Sequence, residues 1–240
     1  MNKKENKKQL VLKIGSSTIE RLGVEKIVKE VAEIIKMGYS LVLVSSGAAS
    51  EGRKILKNIS LDLDKFSKKE LAAIGQGELY QKYTKLFREQ EIQTAQILIT
   101  GEVWSGTIEN LLKHKILVIA NGNDPDEARD LFYEDNDTLA GDILLTLKEG
   151  RLILLTDIDG VYDRNPRENG AKKIRFLNKI DKKLLEQSKT KGESGTGGMY
   201  TKLLTAQKLL ENNLETYITN SFDDLKKFLN NGEWEGTVVK

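Results

Sequence analysis

Leu41-Val42-Leu43-Val44 runs directly into Ser45-Ser46-Gly47-Ala48-Ala49. Four consecutive apolar residues bounded by small polar ones read as a strand buried on both faces, as in a parallel sheet. The small residues after it leave room beside the chain, and their hydroxyls and amides suit a carboxylate or a phosphate. The same letters also describe an ordinary strand-to-helix turn with a serine N-cap. Outward from this stretch the pattern repeats. Leu10–Ile14 reads as a strand. Val24, Ile27, Val28, Val31, Ile34 and Ile35 recur at helical spacing, and Gly38 closes that helix. Beyond it come a helix over Leu71–Phe87, weakened by Gly75 and Gly77, and a strand at Ala95–Ile99. A short helix near Thr107–Leu112 and a strand at Ile116–Ala120 follow. Leu139, Ala140, Ile143, Leu144 and Leu147 mark another helix, then a strand runs over Leu152–Thr156. Leu203, Ala206, Leu209 and Leu210 mark a helix ending at Asn212-Asn213, before a strand at Glu215–Thr219. Strands alternating with helices predict an α/β fold with a mainly parallel central sheet sandwiched between helices, three layers αβα. Ligands of such sheets bind beyond the carboxyl ends of the strands. Every unusual loop in this chain follows a strand.

Composition narrows the chemistry. The chain has 240 residues, 39% hydrophobic and 31% charged, which suits a soluble globular protein. A net charge of +2 provides no basic field for nucleic acid. With no cysteine there is no disulfide, thiolate or Cys-ligated metal, which is compatible with a cytoplasmic location. The single histidine, His114, sits in the polar Lys113-His114-Lys115 turn and reads as solvated. No apolar run approaches the ~18–20 residues of a membrane span. The basic stretch 1–8 reads as a flexible, solvated tail.

Five further stretches carry the candidate chemistry. Lys13 lies inside an apolar strand, where its charge is costly without a partner. It either points into a ligand crevice past Gly15-Ser16-Ser17 or guards a sheet edge. Asn121-Gly122-Asn123-Asp124-Pro125 and Glu134-Asp135-Asn136-Asp137-Thr138 form an acidic section, in which Asn136 or Asp137 suits a helix cap. Thr156-Asp157-Ile158-Asp159-Gly160 places two aspartates at a tight turn and does not match calcium-loop spacing. Gly195-Thr196-Gly197-Gly198-Met199-Tyr200-Thr201-Lys202 is a glycine-rich turn that leads into a helix and ends in lysine. It suits a phosphate, although it is not a Walker A loop. Two lysines from opposite ends of the chain and an aspartate between them fit phosphoryl transfer, which needs charge neutralisation and in-line positioning.

The motifs KIGSS (Lys13–Ser17), VSSGA (Val44–Ala48), AQILIT (Ala95–Thr100), EDNDTL (Glu134–Leu139), TDIDGVYDRNP (Thr156–Pro166) and GTGGMYTK (Gly195–Lys202) run in order along nearly the whole chain. In this the chain resembles the amino acid kinase superfamily, most closely the branch that phosphorylates the γ-carboxylate of L-glutamate in proline biosynthesis. The resemblance implies ATP and Mg²⁺, the metal being held mainly through ATP. It implies that Lys13 and Lys202 neutralise the transferring phosphoryl while Asp137 holds the lysines. Ser46, Asp124 and Asn136 would bind L-glutamate. Lys13, Thr156, Asp157, Thr196, Gly197, Gly198, Met199 and Lys202 would bind ATP. It further implies one kinase domain, with an acceptor lobe over about 9–150 and a nucleotide lobe over about 151–240, and a homo-oligomer, dimer or tetramer; the C-terminal RNA-binding-like domain that many relatives carry is expected to be absent, as the kinase pattern runs almost to Lys240. Two departures touch the acceptor side. Gly122 and Pro125 alter a loop that usually reads Asn-Glu-Asn-Asp, and the stretch from Thr100 to Ile116 is short. Two other readings therefore stand beside this one: another small acid, carbamate or phosphate as acceptor, and a non-catalytic ligand sensor.

Overall fold

The buried runs form the strands expected of them. The computed structural model describes residues 8–103, 105–126, 128, 135–189 and 198–240. The first half contains β1 (Gln9–Ile14), α1 (Ser16–Leu22), α2 (Val24–Lys36), β2 (Ser40–Ser45), α3 (Ala48–Asn58), α4 (Lys68–Glu89), β3 (Thr94–Ile99), α5 (Ser105–Lys113) and β4 (Leu117–Gly122). The second half contains α6 (Asn136–Leu147), β5 (Arg151–Leu155), β6 (Val161–Tyr162), β7 (Lys173–Ile174), β8 (Phe176–Leu177), α7 (Lys182–Gln187), α8 (Met199–Leu210), β9 (Glu215–Thr219), α9 (Phe222–Asn231) and β10 (Thr237–Val239). The fold class is the expected one, α/β with mainly parallel strands between helices. The chain packs as two units, one of Met1–Lys13 with Asp135–Lys240 and the other of Ile14–Glu134. By packing, the division thus falls at 13/14 and 134/135.

In the Ile14–Glu134 unit the strand order is β3-β4-β2, all parallel, with Val42 opposite Val118 and Thr94 opposite Leu117. The apolar runs of β2 and β4 are buried throughout, as the absence of alternation in their sequences requires. Helix α4 starts at Ser67, whose hydroxyl accepts from Glu70 N while the Glu70 carboxylate accepts from Ser67 N, a capping box. Gly75, which weakened the helical pattern, has a packing reason. A Cβ there would lie 2.0 Å from Ala48 O and 2.3 Å from Gly52 N of α3. Gly52 in turn meets Leu71 O at 1.9 Å. The two helices touch backbone to backbone. Gly77 is exposed and faces open space. Gly75→Ala is therefore expected to destabilise the protein by roughly 1–3 kcal/mol through overpacking. Gly77→Ala is expected to stabilise it by up to about 1 kcal/mol. Denaturant unfolding of both variants checks the pair.

In the other unit the order is β1-β5-β9-β10-β8. β5 and β9 are parallel, β10 runs antiparallel to β9, and β6 and β7 form a separate antiparallel pair. Buried Asp224 of α9 fastens the return into β10. It accepts from the Tyr217 hydroxyl, from Thr219 Oγ1 at 2.9 Å, and from the backbone N–H groups of Glu235 and Gly236.

Three local expectations are corrected. Gly15-Ser16-Ser17 is not a free turn, because α1 begins at Ser16 with Gly15 as its N-cap. The stretch after β2 is capped by Gly47 at φ +104°, not by a serine, and no side chain caps α3. The N-cap of α6 is Asp135, which has extended backbone, while Asn136 and Asp137 already lie in the first turn.

Candidate active site

Lys13 is the penultimate residue of β1, Asp137 sits in the first turn of α6, and Lys202 sits in the first turns of α8. The fold brings the three into direct contact. Lys13 Nζ lies 2.7 Å from Asp137 Oδ1, and Lys202 Nζ lies 3.0 Å from Asp137 Oδ2. Lys13 and Lys202 are each 5% exposed and Asp137 is 0% exposed. A buried lysine in a strand is tolerable only beside a counter-charge, and one carboxylate serves both lysines. Lys13 is thus not an edge-guarding lysine. Burial alone would raise the Asp137 pKa. The charges of Lys13 and Lys202 and their hydrogen bonds more than offset it, so this carboxyl titrates below its ordinary value. Burial, joined by repulsion from Lys13, pushes the Lys202 pKa down against the pull of Asp137.

Asp135 holds Asp137 in place. One of its carboxylate oxygens accepts from the N–H groups of Asp137 at 2.8 Å and Thr138 at 2.9 Å. Its other oxygen is buried without a hydrogen-bond partner among the described residues. Sequence reasoning passed over Asp135, because three consecutive residues could each have capped the helix. Helix α8 starts at Gly198, whose extended backbone brings no side-chain cap, so the first-turn N–H groups of Met199 and Tyr200 meet no capping side chain. Thr201 Oγ1 donates to Gly198 O at 2.9 Å. Thr196 and Gly197 lie outside the described residues.

The turn after β5 separates its two aspartates. Thr156 is buried, its N–H donates to Thr219 O, and its hydroxyl donates to Asp157, which is exposed. Asp159 is tied down by Lys173 Nζ and the Tyr162 hydroxyl, both at 2.9 Å. Burial opposes its charge, and those two donors lower its pKa regardless. Among the described residues no group of three His, Cys, Asp or Glu converges as a metal site. His114 is exposed beyond α5, with Nδ1 2.8 Å from Asn110 O.

In the other unit Ser46 and Asp124 follow β2 and β4, which are parallel neighbours, so their loops share one sheet edge. Ser46 N donates to Ile14 O. Asp124 lies half-buried in a turn held by Asn123, whose side chain donates to Thr100 Oγ1 at 3.1 Å while Thr100 donates to Asp126. Asn136 belongs with Asp137 in α6 and is buried. Helix α4 adds two residues that sequence reading missed. Tyr83 shares a buried hydrogen bond with Ser45 Oγ at 3.0 Å, and burial pushes its pKa up to about 12. Gln76 Oε1 accepts from Asn121 Nδ2 at 2.7 Å.

A buried lysine–aspartate–lysine cluster and a glycine-led helix start, both on an α/β sheet, define a class of phosphate-handling proteins. The family model described as "Amino acid kinase family" matches residues 8–220, and the chain belongs to that family. Its curated relatives include the glutamate 5-kinase of Clostridium acetobutylicum, 36% identical over 97% of this chain and 94% of that protein. Glutamate 5-kinase 1 of Bacillus subtilis is 32% identical over 97% of this chain and 69% of that protein. Among solved structures, carbamate kinase from Giardia lamblia bound to AMP-PNP superposes with a TM-score of 0.70 at 17% identity, covering 98% of each chain. Isopentenyl phosphate kinase gives a TM-score of 0.67 at 19% identity, covering 97% of this chain and 100% of that one. At these identities the two structures share the fold.

Proposed function

We propose that the protein transfers the γ-phosphoryl group of ATP to the γ-carboxylate of L-glutamate, giving L-glutamyl 5-phosphate and ADP, the first step of proline biosynthesis. The Lys13–Asp137–Lys202 cluster carries this reading. The bond from γ-phosphorus to the β,γ-bridging oxygen breaks and a bond to a carboxylate oxygen forms. The nucleophile is already an anion, so no general base is required. This suits a site whose one fully buried carboxylate is held below its ordinary pKa and cannot take up a proton near neutrality. Lys13 and Lys202 neutralise the equatorial oxygens of the moving phosphoryl, and Asp137 fixes where their charges sit. Thr156, Asp157 and the segment 196–202, with Gly198, Met199 and Lys202 in it, bind ATP, and the N–H groups at the start of α8 suit its phosphates. Mg²⁺, held mainly through ATP, would supply further charge neutralisation. Ser46, Asp124 and Asn136 bind glutamate, with Asp124 taking the ammonium group. The protein works in the cytoplasm as a homo-oligomer, apart from membranes and nucleic acid.

A second reading keeps the chemistry and changes the acceptor. It rests on Gly122 and Pro125, which alter the loop around Asp124. A coupled ADP-release assay across acceptors separates the two. Release with L-glutamate, and none with carbamate or small phosphates, is the expected result. Turnover of another acceptor with none of L-glutamate moves the protein to the second reading. Absence of ADP release with every acceptor favours a sensor.

A further inference from the structure

Helix α4 reaches both loops of the acceptor side in the Ile14–Glu134 unit. Gly75 presses on the carbonyl of Ala48, at the end of the Ser45–Ala48 stretch. Its neighbour Gln76 bonds Asn121, at the end of β4. Tyr83, seven residues on and so on the same helix face, bonds Ser45. Gln76 therefore sits at the end of β4, next in sequence to the glycine that touches the Ser45–Ala48 stretch. It is half-buried, and its carbonyl oxygen is occupied by the Asn121 amide. That leaves its Nε2 hydrogens as two neutral donors with no partner among the described residues. A half-buried amide whose acceptor end is fixed by the protein and whose donor end is unused is suited to a planar anion.

We propose that Gln76 binds the α-carboxylate of the amino-acid acceptor through Nε2, with Oε1 locked on Asn121. The proposal rests on the reading of the acceptor as L-glutamate. Such an acceptor carries two carboxylates, and only one is to be phosphorylated. A lysine or arginine at the α-carboxylate would also attract the γ-carboxylate and the nucleotide phosphates. A neutral amide holds one end of the substrate without competing for the reacting groups.

The test uses Gln76→Glu, which keeps an oxygen for Asn121 and replaces the two donors by an acceptor. KM is measured for L-glutamate and for L-isoglutamine, in which the α-carboxylate is a carboxamide and the γ-carboxylate is kept. The variant is expected to raise KM for L-glutamate by about 10- to 100-fold, with KM for ATP and the melting temperature near wild type. The glutamate-over-isoglutamine preference should fall or invert, because a carboxamide can donate to the new carboxylate. Gln76→Met is the second variant, should the first fold poorly, and is expected to shrink the same preference. If Gln76 only braces Asn121, Gln76→Glu leaves KM for L-glutamate and the preference ratio unchanged. That result overturns the proposal while the kinase reading stands. Loss of turnover with equal effect on both acceptors also overturns it. A wild-type protein that fails to phosphorylate L-glutamate overturns the kinase reading itself and this proposal with it.

Discussion

Lys202→Ala is expected to give a folded protein whose kcat is lower by about 10²–10³-fold, with a smaller change in KM for ATP. Alanine is the best helix former, and position 202 lies within α8. Asp137 keeps Lys13 at 2.7 Å, so the buried carboxylate is not stranded by the substitution. What is lost is a cation whose value is greatest when charge moves onto the transferring phosphoryl, which lowers kcat more than it raises KM. Steady-state kinetics read beside a melting curve check this, and near wild-type turnover would sink the assignment. Burial also sets a pH limit. The Lys202 pKa is depressed below the ordinary 10.5, so the alkaline fall in kcat should begin below that value.

Asp137→Asn is expected to slow turnover by about 10²-fold while leaving ATP affinity in place. The amide keeps the shape and removes the charge, so two buried lysines then face each other without a counter-ion. Their positions loosen, and positions are what in-line transfer depends on. The nucleotide phosphates can supply the missing negative charge, so calorimetry should find ATP binding retained. Outright loss of ATP binding would show that Asp137 does more than orient cations. The same variant tests stability against acid. The folded Asp137 pKa lies below its ordinary value of 3.8, so its contribution is fully present above that pH. It is lost as pH falls further, through the folded pKa. Unfolding free energy should drop across that window in the wild type, and the drop should be shallower in Asp137→Asn.

Much of this was legible in the sequence because the residue types were extreme. A lysine within Leu10–Ile14 has few explanations, and β9 coincides with the expected Glu215–Thr219. The contact of Lys13, Asp137 and Lys202 was implied only by resemblance, since nothing local joins residues so far apart. Helix α3 was missed because it buries Ala48 and Gly52 where a periodic pattern would show large apolar residues. Gly75 read as a defect for the same reason, as its use is visible only when the Ala48 carbonyl is in place. Asp135, Asn136 and Asp137 are chemically interchangeable as caps, and backbone angle decided among them. Gln76 gave no signal, because one glutamine on a helix is ordinary until its partner is known.

The unit that holds the three charged residues is built from two stretches that translation separates. β1 is made early, but its neighbour β5 follows only after Gly150, and Asp137 and Lys202 are also late. Between them the ribosome delivers the whole of Ile14–Glu134, the contiguous second unit. Throughout that interval Lys13 has no counter-charge, and an unpaired lysine resists entry into an apolar core. A nascent chain stalled before residue 135 therefore carries Lys13 without Asp137 and Lys202.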